Sequence, residues 1–418
     1  MTRGIGASLA HRNFRLFFAG QLVSLAGTWM QTVAQGWLVL TLTNDPLALG
    51  IVTACQFLPV LVFGLFGGVI ADALPKRPTL IVTQVVAMVL ALTLGLLVVA
   101  DAVEVWMVYL LAIGLGFVNA VEMPVRQSFV VEMVGRADVA NAVALNSAVF
   151  NGARVVGPAI AGLVISTVGI AACFFLNAAS FLAVLVAYLL MHDSDLLAGP
   201  RITVAHTVRG VAAPLAEGLA YVRRTATIRL AIVTLGVVAT AGMNFSVLVP
   251  VYAREVLHGD AATYGFLMAA TGLGSLACAL MIAAGLRPTL GLLVTGAAVL
   301  GASLMLLATI SVEVVALPVM LLLGWSVIAI AATTNTLIQM IVPDHLRGRV
   351  MSIYTTVFAG SSPIGGLVAG AIAAAAGVAA ALLVGGAVSV GAAAVAALRV
   401  RAMPSGDSGP RAASQGIG

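Results

Sequence analysis

Charge is the scarcest resource in this chain. Only 8% of its 418 residues are Asp, Glu, Lys or Arg, and Lys76 is the sole lysine. A water-facing surface takes roughly a quarter charged residues, so a soluble domain is excluded. Cysteine is nearly absent as well: Cys55, Cys173 and Cys278 lie in apolar stretches, with no CxxC and no Cys/His spacing for zinc. The five histidines are scattered through loops, so no metal site is expected. There is no GxxxxGK(S/T) to cradle nucleotide phosphates, so ATP does not drive this chain and an ion gradient remains. No nucleophile and base, and no His/Asp/Glu cluster, fall at membrane depth. The chain has no catalytic residues to assign and is not expected to be an enzyme. A sensor would need a soluble output domain, for which the loops leave no room.

What the chain has is apolar length. Hydrophobic residues make up 61% of it, in long runs that do not alternate. A membrane-crossing helix needs about 20 apolar residues, because lipid offers no partner to a bare backbone group. Twelve spans are predicted, at about 15–41, 49–70, 79–100, 105–126, 140–166, 171–191, 229–252, 262–285, 289–310, 315–338, 350–375 and 378–398. The first is too long and too rich in glutamine for a cleaved signal peptide, so it is expected to be retained. An even number of spans puts both termini on one side. Eighteen of the twenty basic residues fall on that side, from Arg3 to Arg411, which makes it cytoplasmic by the positive-inside rule. The opposite loops carry Asp45, Asp101, Glu104, Glu255, Asp260 and Glu313 against Arg254 alone. The basic pI of about 9.5 is thus a topology signal rather than a mark of nucleic-acid binding.

The chain is also internally duplicated. RPTL occurs at 77–80 and again at 287–290, and VFNGARVVGPAIAG (149–162) aligns with VFAGSSPIGGLVAG (357–370) at an offset of 208. The fold class is therefore an all-α membrane protein of twelve helices in two pseudo-symmetric six-helix bundles. Residues 1–191 form the first bundle and 229–398 the second, joined by a linker over 192–228. In that linker EGLAYVRR reads as a short helix whose Leu215, Leu219 and Val222 share a face toward the membrane interface. A plain linker with a frayed helix is the alternative. The tail, 399–418, turns to Pro, Gly, Ser and Gln and is expected to be disordered. Two six-helix halves around one pathway are the plan of a secondary transporter, with its site near the midplane.

From Phe14 to Leu398 the sequence resembles the major facilitator superfamily. The loop between its second and third spans follows that family's GxxxDxxGR(R/K), with Gly68, Asp72, Lys76 and Arg77 in place and Pro75 where glycine is usual. HLRGRVMS (345–352) and the Gly157-Pro158 pair resemble the branch of bacterial drug and siderophore exporters that includes the enterobactin exporter. The resemblance implies that Asp72 helps clamp the halves on the cytoplasmic side. Asp72 lies near the C-terminus of its own helix, where the dipole disfavours an anion, so it should seek a partner: the N-terminus of the eleventh span near Arg349, or Arg126 at the end of the fourth. Gly157 and Pro158 match the family's antiporter signature with two glycines replaced by alanine. A packing motif with no bearing on direction is the alternative reading.

Arg154 is the one charge placed near mid-membrane, with no carboxylate at comparable depth. It binds either an anionic substrate or backbone carbonyls and amides such as Asn151. Gln21, Ser24, Thr28, Gln31 and Gln35 recur every three or four residues, one polar face that lipid would reject and that the family's first helix turns to the cavity. Asn244, and Thr333, Asn335 and Thr336, are the counterparts in the second half, and Trp29 and Trp325 could offer flat apolar contact. Helix-to-helix hydrogen bonding is the competing role for each. The expected function is export of a small amphipathic molecule by proton antiport, with no cofactor beyond the proton gradient, and with the lipid bilayer and a small substrate as partners of a monomer. Asp45, Asp72 and Glu122 are the candidate proton carriers. Uptake by symport and lipid movement between leaflets are the alternatives within transport, and a membrane-embedded enzyme or sensor is the alternative outside it.

Overall fold

A computed structural model describes residues 6–64, 74–197 and 208–403, with side chains 208–215 omitted. Gly68 and Asp72 lie outside the described residues. Those described are helical almost throughout: α1 (Arg12–Thr43), α2 (Pro46–Gly64), α3 (Lys76–Val99), a continuous stretch Val105–Thr167, α6 (Ile170–Leu189), α7 (Val208–Arg224) and α8 (Ala226–Gly242). They continue as α9 (Phe245–Glu255), α10 (Ala261–Ala283), α11 (Leu290–Leu307), α12 (Glu313–Ile341), α13 (Asp344–Ala376) and α14 (Val378–Ala402). The stretch Val105–Thr167 is broken at Gly135, whose φ of 71° only glycine adopts freely. It therefore comprises α4 (105–134) and α5 (136–167). Among the described residues ten helical stretches are long and apolar enough to cross a membrane, counting α4 with α5 and α8 with α9. Separating α4 from α5 makes eleven, and α1 is the twelfth. At 32 residues α1 is about 48 Å long, but its glutamines lower its hydropathy.

Several boundaries differ from the sequence expectation. The fourth span continues to residue 134, so Arg126 lies two turns inside α4 rather than at its end, and Glu122 lies deeper still. The segment after Arg126 stays helical because Phe129, Val130, Met133 and Val134 pack into the core of the first unit and Glu132 pairs with Lys76. The eleventh span starts at Asp344, not near Arg349, so the free N–H groups of its first turn precede Arg349. The seventh span is two helices: Met243 and Asn244 leave the helical region, and the Asn244 amide bridges the break by donating to Thr240 O at 2.8 Å.

The chain forms two compact units. The first is Met1–Asn44, Cys55–Val204 and His258–Ala269, and the second is Asp45–Ala54, Ala205–Leu257 and Ala270–Gly418. The first is centred on Phe14 and Phe17 of α1, Leu80 of α3, Phe129 and Met133 of α4, and Tyr188 of α6. In the second, Val222 of α7 packs with Ile228 of α8, Ile338 of α12, and Leu346 and Val350 of α13. Both carry the same crossing of small residues. Within the first unit a Cβ on Gly162 of α5 would meet Ala261 O and Ala262 Cα of α10 at 2.9 Å. Within the second, one on Gly370 of α13 would meet Pro46 O of α2 at 2.7 Å. Gly162 and Gly370 are related by the 208-residue offset, so the duplication is preserved in the packing.

Candidate transport site

The basic end of the hinge motif is built into the first unit. Lys76 opens α3 and pairs with Glu132 of α4. From the next position Arg77 donates Nε to Tyr188 O at 2.8 Å and Nη2 to Leu189 O at 3.2 Å, and pairs with Asp193 at 2.5 Å. The last carbonyls of a helix have no intrahelical donor and carry the negative end of its dipole. Arg77 therefore acts as the C-terminal cap of α6. Arg126 pairs with Glu122 one turn earlier, Nε to Oε1 at 3.1 Å, and donates Nη1 to Gln21 Oε1 of α1 at 3.0 Å. Glu122 is the one acid in the buried class among the described residues. The buried Tyr188 hydroxyl has no hydrogen-bond partner and lies within the field of both charges. In the second unit Arg349 pairs with Glu217 of α7, and Gly218 lets α7 close on it, a Cβ there standing 3.1 Å from Arg349 Cβ. Arg126, the cation that the sequence offered to Asp72, thus holds a carboxylate of its own, and so does Arg349.

The glutamine stripe of α1 is mostly used between helices. Gln21, Ser24, Gln31 and Gln35 are all buried, while Thr28 is exposed and donates to Ser24 O at 3.0 Å. Gln31 Oε1 accepts from Asn177 Nδ2 of α6 at 2.6 Å, beside Ser180, which donates to Asn177 Oδ1 at 3.1 Å. An amide in a membrane is satisfied as well by a neighbouring helix as by a wet cavity, and the spacing in α1 is the same for both. Asp45, a candidate proton carrier, instead caps α2 by accepting from Leu47 N at 2.8 Å.

Gly157 brings α5 against α1. A Cβ there would stand 2.6 Å from Ala26 O and 2.6 Å from Trp29 Cβ, and Pro158 beside it is buried. Its repeat partner Gly365 brings α13 against the break between α8 and α9 in the same way, 2.3 Å from Thr240 O in unrelaxed geometry and 2.6 Å from Asn244 Oδ1. One turn before Gly157, the Arg154 guanidinium stands over the Trp29 ring, 5.4 Å from its centroid, and Phe150 meets that ring edge-on at 5.7 Å. Arg154 Nε is buried without a partner, as is Asn151 Oδ1, whose amide donates instead to Ser147 O at 2.8 Å. A cation–π contact contributes about 0.5–2 kcal/mol. Withdrawing an ion from water costs several kcal/mol. Trp29 alone does not offset that cost, and among the described residues no carboxylate pairs with Arg154.

In the second unit Asn335 accepts from Gln339 Nε2 of α12 at 2.5 Å, and Tyr354, which donates to Ala331 O at 3.3 Å, stacks on Phe358 at 6.2 Å. Thr333 is buried with a free hydroxyl, and the Trp325 backbone packs against Gly274 of α10. Among the described residues no group of three or more His, Cys, Asp or Glu could hold a metal.

The family model described as transmembrane secretion effector matches residues 4–416. The chain belongs to this family. As a transmembrane secretion effector it is a transporter of the major facilitator type, in keeping with its internally duplicated sequence. It is 31% identical to the multidrug efflux pump Tap of Mycolicibacterium fortuitum over 383 residues, 88% of this chain and 91% of that protein. It is 24% identical to the staphyloferrin A transporter of Staphylococcus aureus over 273 residues, 64% of this chain and 66% of that protein. The crystal structure of the nucleoside transporter NupG shares the fold, with a TM-score of 0.73 at 12% identity, over 93% of this effector and 99% of that chain.

Two features of this secretion effector escaped the sequence. The Glu122–Arg126–Gln21 cluster was hidden because the fourth span seemed to end at Arg126. The break at Asn244 left a signal, Gly242-Met243-Asn244 in mid-span, but a hydrophobic run reads through it.

Proposed function

We propose that the protein exports a small amphipathic molecule, a siderophore or drug, across the bacterial cytoplasmic membrane in exchange for protons. It works as a monomer with both termini in the cytoplasm and without a cofactor. The observation that carries this reading is the pair of unlike sites in one bundle: an unbalanced cation on an aromatic platform at Arg154 and Trp29, and a buried carboxylate at Glu122. The first suits a ligand and the second a proton. The efflux named for Tap supports the same direction.

Glu122 is the proton carrier in this scheme. The groups facing it are Arg126 of its own helix, Gln21 of α1, reached through Arg126, and Tyr188 of α6. Protonation cancels the Glu122–Arg126 attraction and frees Arg126 to reorganise its contact with α1. Loss of a charge pair at this burial alters local free energy by a few kcal/mol, enough to shift a two-state equilibrium. The test uses everted membrane vesicles with an acid interior and a panel of fluorescent ring-bearing dyes. Export by antiport predicts that a dye accumulates inside against its gradient and that collapsing the pH gradient releases it. Accumulation only with the gradient reversed identifies symport and overturns the proposal.

A further inference from the structure

We infer that Arg154, Asn151, Trp29 and Phe150 form a binding subsite for the acidic group and ring of a flat organic anion. This rests on the export reading above and narrows its substrate class. Three observations converge. The Arg154 guanidinium lies on the Trp29 face, its Nε without a partner and the residue only half-buried, so the cation is reachable and its charge unbalanced. Asn151, one turn earlier on α5, holds its Oδ1 buried and equally unpartnered, an acceptor for a hydroxyl or amide N–H on the same ligand. Phe150, 43% exposed, extends the aromatic surface edge-on from Trp29 on the open side of α5. Val143, Ser147, Phe150 and Arg154 follow one another at helical spacing. Val156, Ile160 and Leu163 occupy the opposite, uniformly aliphatic face of α5, which suits lipid.

The duplication sharpens the assignment. At the 208-residue offset Phe150 corresponds to Phe358, but Arg154 corresponds to Ser362 and Asn151 to Ala359. The aromatic member is common to both repeats while the charge and the amide belong to the first alone. A residue kept only for helix packing would have no reason to be a cation in one repeat and a serine in its twin. A bidentate guanidinium is suited to carboxylate, sulfonate or enolate oxygens, and a ring seated on Trp29 would place such a group at Arg154.

The test is equilibrium binding to the purified full-length protein, with no gradient imposed, so that it is independent of direction and coupling. The probes are 1-naphthalenesulfonate and its neutral sulfonamide, followed by quenching of tryptophan fluorescence. The wild type is expected to bind the sulfonate about tenfold or more tightly than the sulfonamide, the step expected of one charge-assisted contact. Arg154→Gln should abolish that preference and leave the sulfonamide affinity in place, while Arg154→Lys should keep part of it. Trp29→Phe should remove most of the quenching by both probes. Equal affinity for the two probes in the wild type, failure of both to bind at millimolar concentration, or a preference that survives Arg154→Gln each overturns the subsite. If Arg154→Gln does not fold, the wild-type comparison and Arg154→Lys still decide. No preference in the wild type alongside intact export would refute the subsite and leave the export reading standing.

Discussion

Replacing Gly157 by alanine should destabilise the protein, whereas the same change at Gly152, five residues earlier on α5, should not. At Gly157 the new methyl would stand 2.6 Å from Ala26 O and Trp29 Cβ, against about 3.4 Å for ordinary contact, so α5 and α1 must part by about 0.8 Å. At Gly152 nothing lies within 4 Å. Both changes gain the same helix propensity, about 1 kcal/mol, so it cancels in the comparison. What remains is overpacking, about 1–3 kcal/mol. The assay is the melting temperature of each variant in one detergent, followed by loss of the monodisperse species. Gly152→Ala should melt at or above the wild type and Gly157→Ala clearly below Gly152→Ala. Equal melting temperatures would refute the close approach of α5 to α1. Because Trp29 lies at that contact and carries Arg154, Gly157→Ala should also shift tryptophan emission, and Gly152→Ala should not.

Removing the cap on α6 by Arg77→Ala leaves Tyr188 O and Leu189 O without that donor and should cost about 1–3 kcal/mol; Arg77→Lys should restore part of it, and unchanged thermal stability of the alanine variant would count against the cap. Gln31→Leu and Asn177→Leu should be coupled, with an interaction energy of about 0.6–2 kcal/mol in a double-mutant cycle on stability; strict additivity would mean the two amides do not meet. The Arg349–Glu217 pair is more open to solvent, with side-chain exposures of 34% and 55%, so Glu217→Gln should change stability by less than about 1 kcal/mol. A larger loss would show that α7 depends on this pair rather than on Val222 and Gly218.

The architecture was legible because its signals are coarse and many times repeated. A bilayer demands runs of about 20 apolar residues, and twelve such spans were read from the sequence. The duplication followed from Gly157/Gly365 and Gly162/Gly370, and the structure gives each member of a pair the same kind of neighbour. Side-chain roles were less legible. The stripe from Gln21 to Gln35 correctly marked α1 as unable to face lipid. Spacing could not tell whether its amides meet water or Asn177 and Arg126, because both solutions require the same face. Arg126 was misplaced for a related reason: a cation ending an apolar run reads as a span boundary, whereas Phe129, Val130, Met133 and Val134 carry the helix on into the core, with Glu132 paired to Lys76. The unbalanced charge at Arg154 was visible as a mid-span cation. Its Trp29 platform was not, because contact between α1 and α5 depends on Gly157 and on a fold that brings distant spans together.

The central claim is that a proton taken up at Glu122 drives concentrative export, and it is tested most directly in proteoliposomes holding wild type or Glu122→Gln. With an acid interior and a dye identified as substrate, the wild type should accumulate the dye and release protons in step with it, read with an entrapped pH indicator. Glu122→Gln should let the dye equilibrate without accumulation and without proton release. Concentrative, proton-linked accumulation by Glu122→Gln at the wild-type level would contradict the account.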